Sequence, residues 1–339
     1  MIKIKMLNFC FLFLCLITFF FSNKSYANQT NDFQKWVLDF KSTAIKNGVS
    51  VDTFDEIMKD AKFLPKVIEY DRYQPEFYED TFTYVKKRSN AIKVKKGLIL
   101  YKNEKNLINE VEKKFLVEKE LLLALMGIET NFGKYLGKMD IISSLATLSF
   151  DQRRSAFFTN ELIILLKLLD QKVIDKEILF GSWAGAFGNF QFMPSTIKNY
   201  AIDYDNNNNI ELKKIKDSFA SAANYMSQIG WKQNQPCFYK IKLKENIPSK
   251  YLNSSAKKLR HKKKYKYFKK YLKDQPQFEI NDNTIAAIIT PDKDIISDSN
   301  RFNPAYIVFS NYEQILKWNR SLRFALAVCT LKDKIKNEI

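Results

Sequence analysis

The chain has 339 residues, 46% hydrophobic and 14% aromatic, with a formal net charge of +18. That apolar content is enough to bury a sizeable core, as one elaborated domain or two, and excludes a disordered chain. Its one histidine, His261, sits among lysines in LRHKKKYK, which excludes a histidine-dependent catalytic triad and a histidine-rich zinc site.

The chain starts MIKIKMLNFCFLFLCLITFFFSNKSYA: early lysines, an apolar stretch from Met6 to Phe21, and small residues at Ser25 and Ala27. This predicts an export signal peptide over residues 1–27, cut after Ala27, and a soluble mature protein. A retained membrane anchor is the alternative, although the apolar stretch is shorter than the ~20 residues of a spanning helix. Leu14 before Cys15 and Phe9 before Cys10 are too bulky for a lipoprotein cleavage site.

From residue 28 to about 115 the pattern is helical, with FQKWVLDFKSTAIKNG and VDTFDEIMKDAKF showing apolar residues at three- and four-residue steps. Gly48 is placed to end the first of these and Ser50 to cap the second. A longer helical pair is expected from Pro75 to Phe115. The segment 116–234 brings a helix starting near Glu118, another at RRSAFFTNELIILLKLLD, a glycine-rich stretch, and a helix at KDSFASAANYMSQIG. Residues 235–309 change character, with prolines and short β-like runs such as TIAAIIT and AYIVFS, and read as an inserted, partly β subdomain. Residues 310–339 are helical again and are expected to pack back on the core.

Within this insertion, Lys240 to Lys273 holds fourteen Lys or Arg against one acid, Glu245, interleaved with aromatics in KKKYKYFKKYLK. In an exported chain this mixture reads as a solvated basic surface facing anionic cell wall or lipid headgroups, not nucleic acid. Beyond the leader the chain keeps Cys237 and Cys329, which either pair or stay as separate buried thiols.

Glycine is scarce, nine residues in all, yet six fall between Gly127 and Gly188. In LLLALMGIETNFG, Glu129 continues the apolar stripe of Leu122, Leu125 and Met126 and stands in the last helical turn before Gly133. Desolvation and the negative end of the helix dipole both favour the protonated acid there, which could then donate a proton to a leaving group. A purely structural glutamate bonded to a backbone donor or a buried arginine fits that pattern equally well. In SWAGAFGNFQFMPS, small and aromatic residues alternate without charge, as on a groove floor for a flat polar ligand such as a sugar, or in a tightly packed glycine turn.

GIETNFG, then LATLSF with two arginines behind it, then GSWAGAFGNFQFMPSTIKNYAIDYDNNNN, then NYEQILKWNRSLRFALAV, in this order, resemble the lytic murein transglycosylase B family. The resemblance covers most of the mature chain and is weakest over 236–303. It implies a mainly α (α+β) fold: a lysozyme-like helical core, an N-terminal helical domain and a small inserted β-containing domain. It also implies cleavage of the MurNAc–GlcNAc β-1,4 bond of peptidoglycan glycan strands, giving 1,6-anhydro-muramic acid ends by a monomer with no required cofactor.

By that resemblance Glu129 is the single general acid and base. Ser182, Gln191 and Asn319 line the cleft and hydrogen-bond sugar or acetamido groups, with a turn or capping role as the alternative for each, and Arg153 and Arg154 face the peptide stem. Tyr84 and Phe157 fit either stacking walls or core residues. Phe157 and Trp318 stand where the family pattern has tyrosine, so a hydroxyl role at either is lost. Some relatives have an EF-hand-like calcium loop, and Asp203, Asp205, Asn207 and Asn209 occupy positions 1, 3, 5 and 7 of one here. Position 12 is Lys214 instead of a bidentate glutamate, which should weaken the site badly. A hydrolytic muramidase on the same fold, and an inactive peptidoglycan-binding module, are the competing readings.

Overall fold

The computed structural model describes residues 29–73, 78–176, 179–274, 280–293 and 302–339; the leader read from the sequence lies outside them. Helix α1 spans 29–46, followed by α2 (Val51–Met58), α3 (Pro65–Arg72), α4 (Thr81–Arg88), α5 (Ala91–Asn103), α6 (Lys105–Phe115) and α7 (Lys119–Thr130). Strand β1 (Met139–Asp140), α8 (Ile141–Phe150), α9 (Ser155–Asp170), β2 (Phe180–Gly181), α10 (Pro194–Tyr200) and α11 (Ile215–Gln228) come next. The insertion contributes β3 (Phe238–Ile241), β4 (Leu252–Asn253), β5 (Lys263–Lys264), α12 (Tyr265–Lys269), β6 (Ile285–Ile289) and β7 (Ala305–Val308). Helices α13 (Ser310–Trp318) and α14 (Leu322–Lys336) close the chain.

Local chemistry explains the punctuation. Gly48 ends α1 at φ +88°, a left-handed conformation that glycine adopts without a Cβ clash. Ser50 Oγ accepts from Thr53 N–H and caps α2. The stretch expected as a helical pair up to Phe115 instead gives three helices. Asn90 breaks it by capping α5 through its side chain, and Glu104 separates α5 from α6. Two further helices had no periodicity strong enough to announce them: α3 starts on Pro65 at its first turn, and α8 is buried from Ile141 to Ser149.

One apolar core runs from Phe33 to Ile335 and is shared by the N-terminal helices, α7–α11, α13 and α14. Helix α7 sits at its centre, with Leu121 to Met126 at most 1% exposed, and packs against α14, α5 and α6. A helix apolar on every side can be stable only in such a position. The insertion has a second core, in which Ile241, Tyr251, Phe268, Ile288 and Ile307 meet. Its sheet runs β3-β7-β6-β4, with β5 also on β6, and only the β4–β6 pair is parallel. Cys237, just before β3, is disulfide-bonded to Cys329 of α14, with Cα atoms 6.2 Å apart, so the pair left open by the sequence ties the insertion to the main core.

Candidate active site

Glu129 lies in the last turn of α7 and is partly exposed. The helix ends because Asn131, Phe132 and Gly133 all take positive φ, at 52°, 61° and 77°. Thr130 fastens this exit: its hydroxyl bonds the Asn189 carbonyl at 2.9 Å and receives Gly133 N–H at 3.0 Å. The end of α7 is thereby joined to the glycine-rich segment 181–193.

That segment folds on itself. Phe187 and Phe192 exchange backbone hydrogen bonds, and Gln191, at φ 49°, sends its amide Nε2 to the carbonyls of Gly188 and Leu136. The neighbouring Gly137 lies so close to β2 that a Cβ there would meet Gly181 O at 2.0 Å, which only glycine avoids. Ser182 therefore sits beside 136–137, with its Oγ accepting from Ala184 N–H and Ala186 N–H. A hydroxyl that accepts twice in this way keeps its own O–H for a ligand.

The other wall comes from the far end of the chain. Trp318 ends α13 and donates its indole N–H to Glu129 Oε1 at 2.9 Å. Its ring stacks on Tyr225 at 5.0 Å, Tyr225 stacks on Tyr200 at 4.3 Å, and Phe190 and Phe192 present edges to Trp318. Burial pushes the Tyr225 hydroxyl up to about 12, so Tyr225 is uncharged at neutral pH. Asn319 follows Trp318 and is partly exposed. Glu129, Ser182, Gln191 and Asn319 thus belong to one connected group of segments. Trp318, read from the sequence only as a departure from tyrosine, bonds the carboxylate of Glu129.

Arg153, Arg154 and Phe157 form a second group at the start of α9. Both guanidinium groups bond the buried carboxylate of Asp71 from α3, a partner the sequence did not announce. Arg153 also lines a cavity of about 620 Å³ with Phe63, Glu69 and the Arg72–Asp151 ion pair. Phe157 is 47% exposed against Phe158 and is available as a stacking surface. Tyr84 is not: it is 1% exposed, packed in α4, with the Arg88 guanidinium 3.5 Å from its ring centre, so of its two readings, wall or core, the structure has the core one.

The asparagine-rich loop is closed by its own side chains. Asp203 accepts from Asn207 N–H and Asn208 N–H, which closes the loop, and Asn209 N–H bonds Asn207 Oδ1. Lys214 at position 12 does not decide the donor set, because Asp217 of α11 brings a buried carboxylate oxygen within 4.8 Å of oxygens from Asp203 and Asp205. Three converging carboxylates are hard donors of the kind calcium takes.

A family model described as a transglycosylase SLT domain matches residues 32–333. Membrane-bound lytic murein transglycosylase B of Escherichia coli (strain K12) is 36% identical over 149 residues, 44% of this chain and 41% of that protein, so the match spans less than half of that relative. The crystal structure of SltB3 from Pseudomonas aeruginosa in complex with NAG-anhNAM-pentapeptide superposes with a TM-score of 0.78 at 30% identity, covering 90% of this chain and 79% of that one. The Escherichia coli lytic transglycosylase Slt35 in complex with calcium gives a TM-score of 0.73 at 25% identity, covering 91% and 94%.

Proposed function

The chain belongs to the transglycosylase SLT domain family, and on that footing we propose that it is a peptidoglycan lytic transglycosylase with Glu129 as its single acid and base. The observation that carries this reading is the setting of Glu129: one carboxylate at the end of a buried helix, held by an indole N–H and joined through Thr130 to a glycine-rich groove floor. Ordinary glycosidases oppose two carboxylates across the scissile bond. Here the nearest acids downstream are occupied elsewhere, Asp140 capping α8 and Asp151 pairing with Arg72.

In the reaction Glu129 protonates the glycosidic oxygen, and the leaving GlcNAc departs from C1 of MurNAc. The resulting carboxylate takes the proton of the C6 hydroxyl as that oxygen attacks C1, closing the 1,6-anhydro ring. No water is consumed and Glu129 ends in its starting state. Ser182 and Asn319 hydrogen-bond the sugar and its acetamido group, Gln191 braces the floor, and Phe157 with the arginine pair receives the stem end. SltB3 in complex with NAG-anhNAM-pentapeptide supports a glycan–peptide ligand of this class.

The leader over 1–27 fits export to the periplasm, and among the described residues no helix is long and apolar enough to cross a membrane. Asp203, Asp205 and Asp217 would hold a calcium ion that pins the loop before α11. Digestion of purified sacculi, with mass spectrometry of the products, tests the proposal: wild type should release anhydro-muropeptides and Glu129→Gln none. Reducing muramic acid ends would instead make the enzyme a hydrolytic muramidase.

A further inference from the structure

The exit from α7 is an expensive piece of backbone. Three successive residues lie in the left-handed region; asparagine and glycine adopt it readily, but Phe132 costs on the order of 1–3 kcal/mol unless surrounding contacts hold it. Asn131 N–H and Phe132 N–H both turn to Met126 O. The Gly127 carbonyl therefore does not receive Asn131 N–H, its partner in a regular helix. The Nζ of Lys93, from α5, donates to that carbonyl, and Lys96 Nζ donates to Asn131 Oδ1 at 3.2 Å. The ring of Phe132 folds back between the same two helices, where a Cβ on Gly127 would meet it at 2.7 Å and one on Gly97 at 3.3 Å.

We propose that Lys93 is a positioning residue for Glu129, gripping from behind the strained turn that follows the catalytic glutamate. This inference rests on the reading of Glu129 as the catalytic acid. Gly127 and Glu129 are two residues apart, about 200° around the helix. Lys93 thus acts on the face turned away from the sugar. Its backbone is itself fixed, since Asn90 Oδ1 accepts Lys93 N–H at 3.0 Å at the start of α5. Desolvation, with Lys96 and Arg88 nearby, brings its ammonium down to about 8, so the charge is kept there against its preference for water.

The test is kinetic, on the full mature chain with sacculi as substrate. Lys93→Met should lower kcat about 10-fold with KM nearly unchanged, because a displaced acid impairs the chemistry more than glycan binding. Lys93→Arg, which keeps a charged donor of similar reach, should recover most of the loss. Circular dichroism melts establish that each variant is folded at the assay temperature, and Lys93→Gln replaces the methionine variant if that one is unfolded. Wild-type kcat in Lys93→Met or Lys93→Gln overturns the inference, as does an arginine variant impaired as badly as methionine. A wild-type chain that releases no anhydro ends overturns the function and this inference together, whereas unchanged Lys93 variants beside an active wild type overturn this inference alone.

Discussion

Trp318 donates its indole N–H to Oε1 of Glu129 at 2.9 Å, joining residues 189 positions apart. An indole donates and does not accept. Oε1 is therefore the acceptor of this bond in either protonation state. A tyrosine hydroxyl at this place could play either part. Trp318→Phe removes a hydrogen bond that is stronger to the carboxylate than to the neutral acid. The alkaline limb of kcat/KM should then move to higher pH while the maximum falls about 10- to 100-fold, the weight of one charge-assisted bond. Trp318→Tyr should keep most of the activity. A Trp318→Phe profile with an unmoved limb would show that the indole does not govern the proton.

Residues whose role follows from near neighbours were legible before the structure. The stripe Leu122, Leu125, Met126 and the glycine stop at Gly133 place Glu129 in a terminal helical turn, and α7 ends at Thr130 as that pattern demands. Gly48 and Ser50 punctuate α1 and α2 for the same local reasons. Residues whose role depends on distant chain were opaque. Asp71 meets Arg153 and Arg154 across more than 80 positions, and Asp217, outside the counted loop positions, brings its carboxylate to Asp203 and Asp205. Tyr84 has the composition of a groove wall and the burial of a core residue, a choice that only tertiary packing makes.

Asp292 binds three parts of the molecule into one. It accepts Thr81 N–H and hydroxyl at the start of α4 and Arg323 Nη2 at 2.6 Å at the start of α14, and all three residues are buried. Removing one member of a buried ion pair leaves the other uncompensated, typically at about 3–5 kcal/mol. Asp292→Ala should show a loss of that size in urea unfolding, with Asp292→Asn, which retains an acceptor, losing less. A loss below about 1 kcal/mol would mean that water replaces the carboxylate.

Calcium should stabilise the loop before α11. Binding to the folded state alone adds about 2.7 kcal/mol at a hundredfold excess over Kd, so the melting temperature should rise in millimolar calcium over chelator. Magnesium, which demands tighter octahedral geometry, should do less. Asp217 already accepts Tyr204 N–H and Glu211 N–H, so Asp217→Asn will lower the melting temperature in chelator as well. The informative quantity is the calcium-dependent increment, which the variant should abolish; an increment that survives would place the ion elsewhere.

Lys93 gives a pH signature. Its folded-state value of about 8 lies below its ordinary 10.5. Below the lower value both states hold the proton, and between the two the unfolded chain holds more. The contribution of this group to stability therefore rises with pH across that window. Melts of wild type and Lys93→Met should accordingly show wild type gaining on the variant between about pH 7.5 and about pH 10. A constant difference would mean that the ammonium is as well solvated in the fold as in water.

The basic tract should act at a distance from the chemistry. Lys257, Lys258, Lys263, Lys266 and Lys270 are exposed, and Lys263 and Lys270 flank the ring of Tyr267. Lys242, Lys262 and Lys269 instead pair with Asp274, Glu313 and Asp282. Replacing these five lysines by glutamine removes exposed charge that has no ion-pair partner among the described residues and leaves the ion pairs in place. Exposed charges are felt over about 10 Å at 0.1 M salt and about 3 Å at 1 M. Retention of the variant on sacculi should thus fall well below wild type at low salt and match it at high salt. Turnover of short soluble muropeptides should not change, because none of the five bonds the segments around Glu129. A loss of retention equal at both salts would assign the tract a shape-specific contact in place of an electrostatic one, and a loss of turnover on the soluble substrate would extend the active site into the insertion.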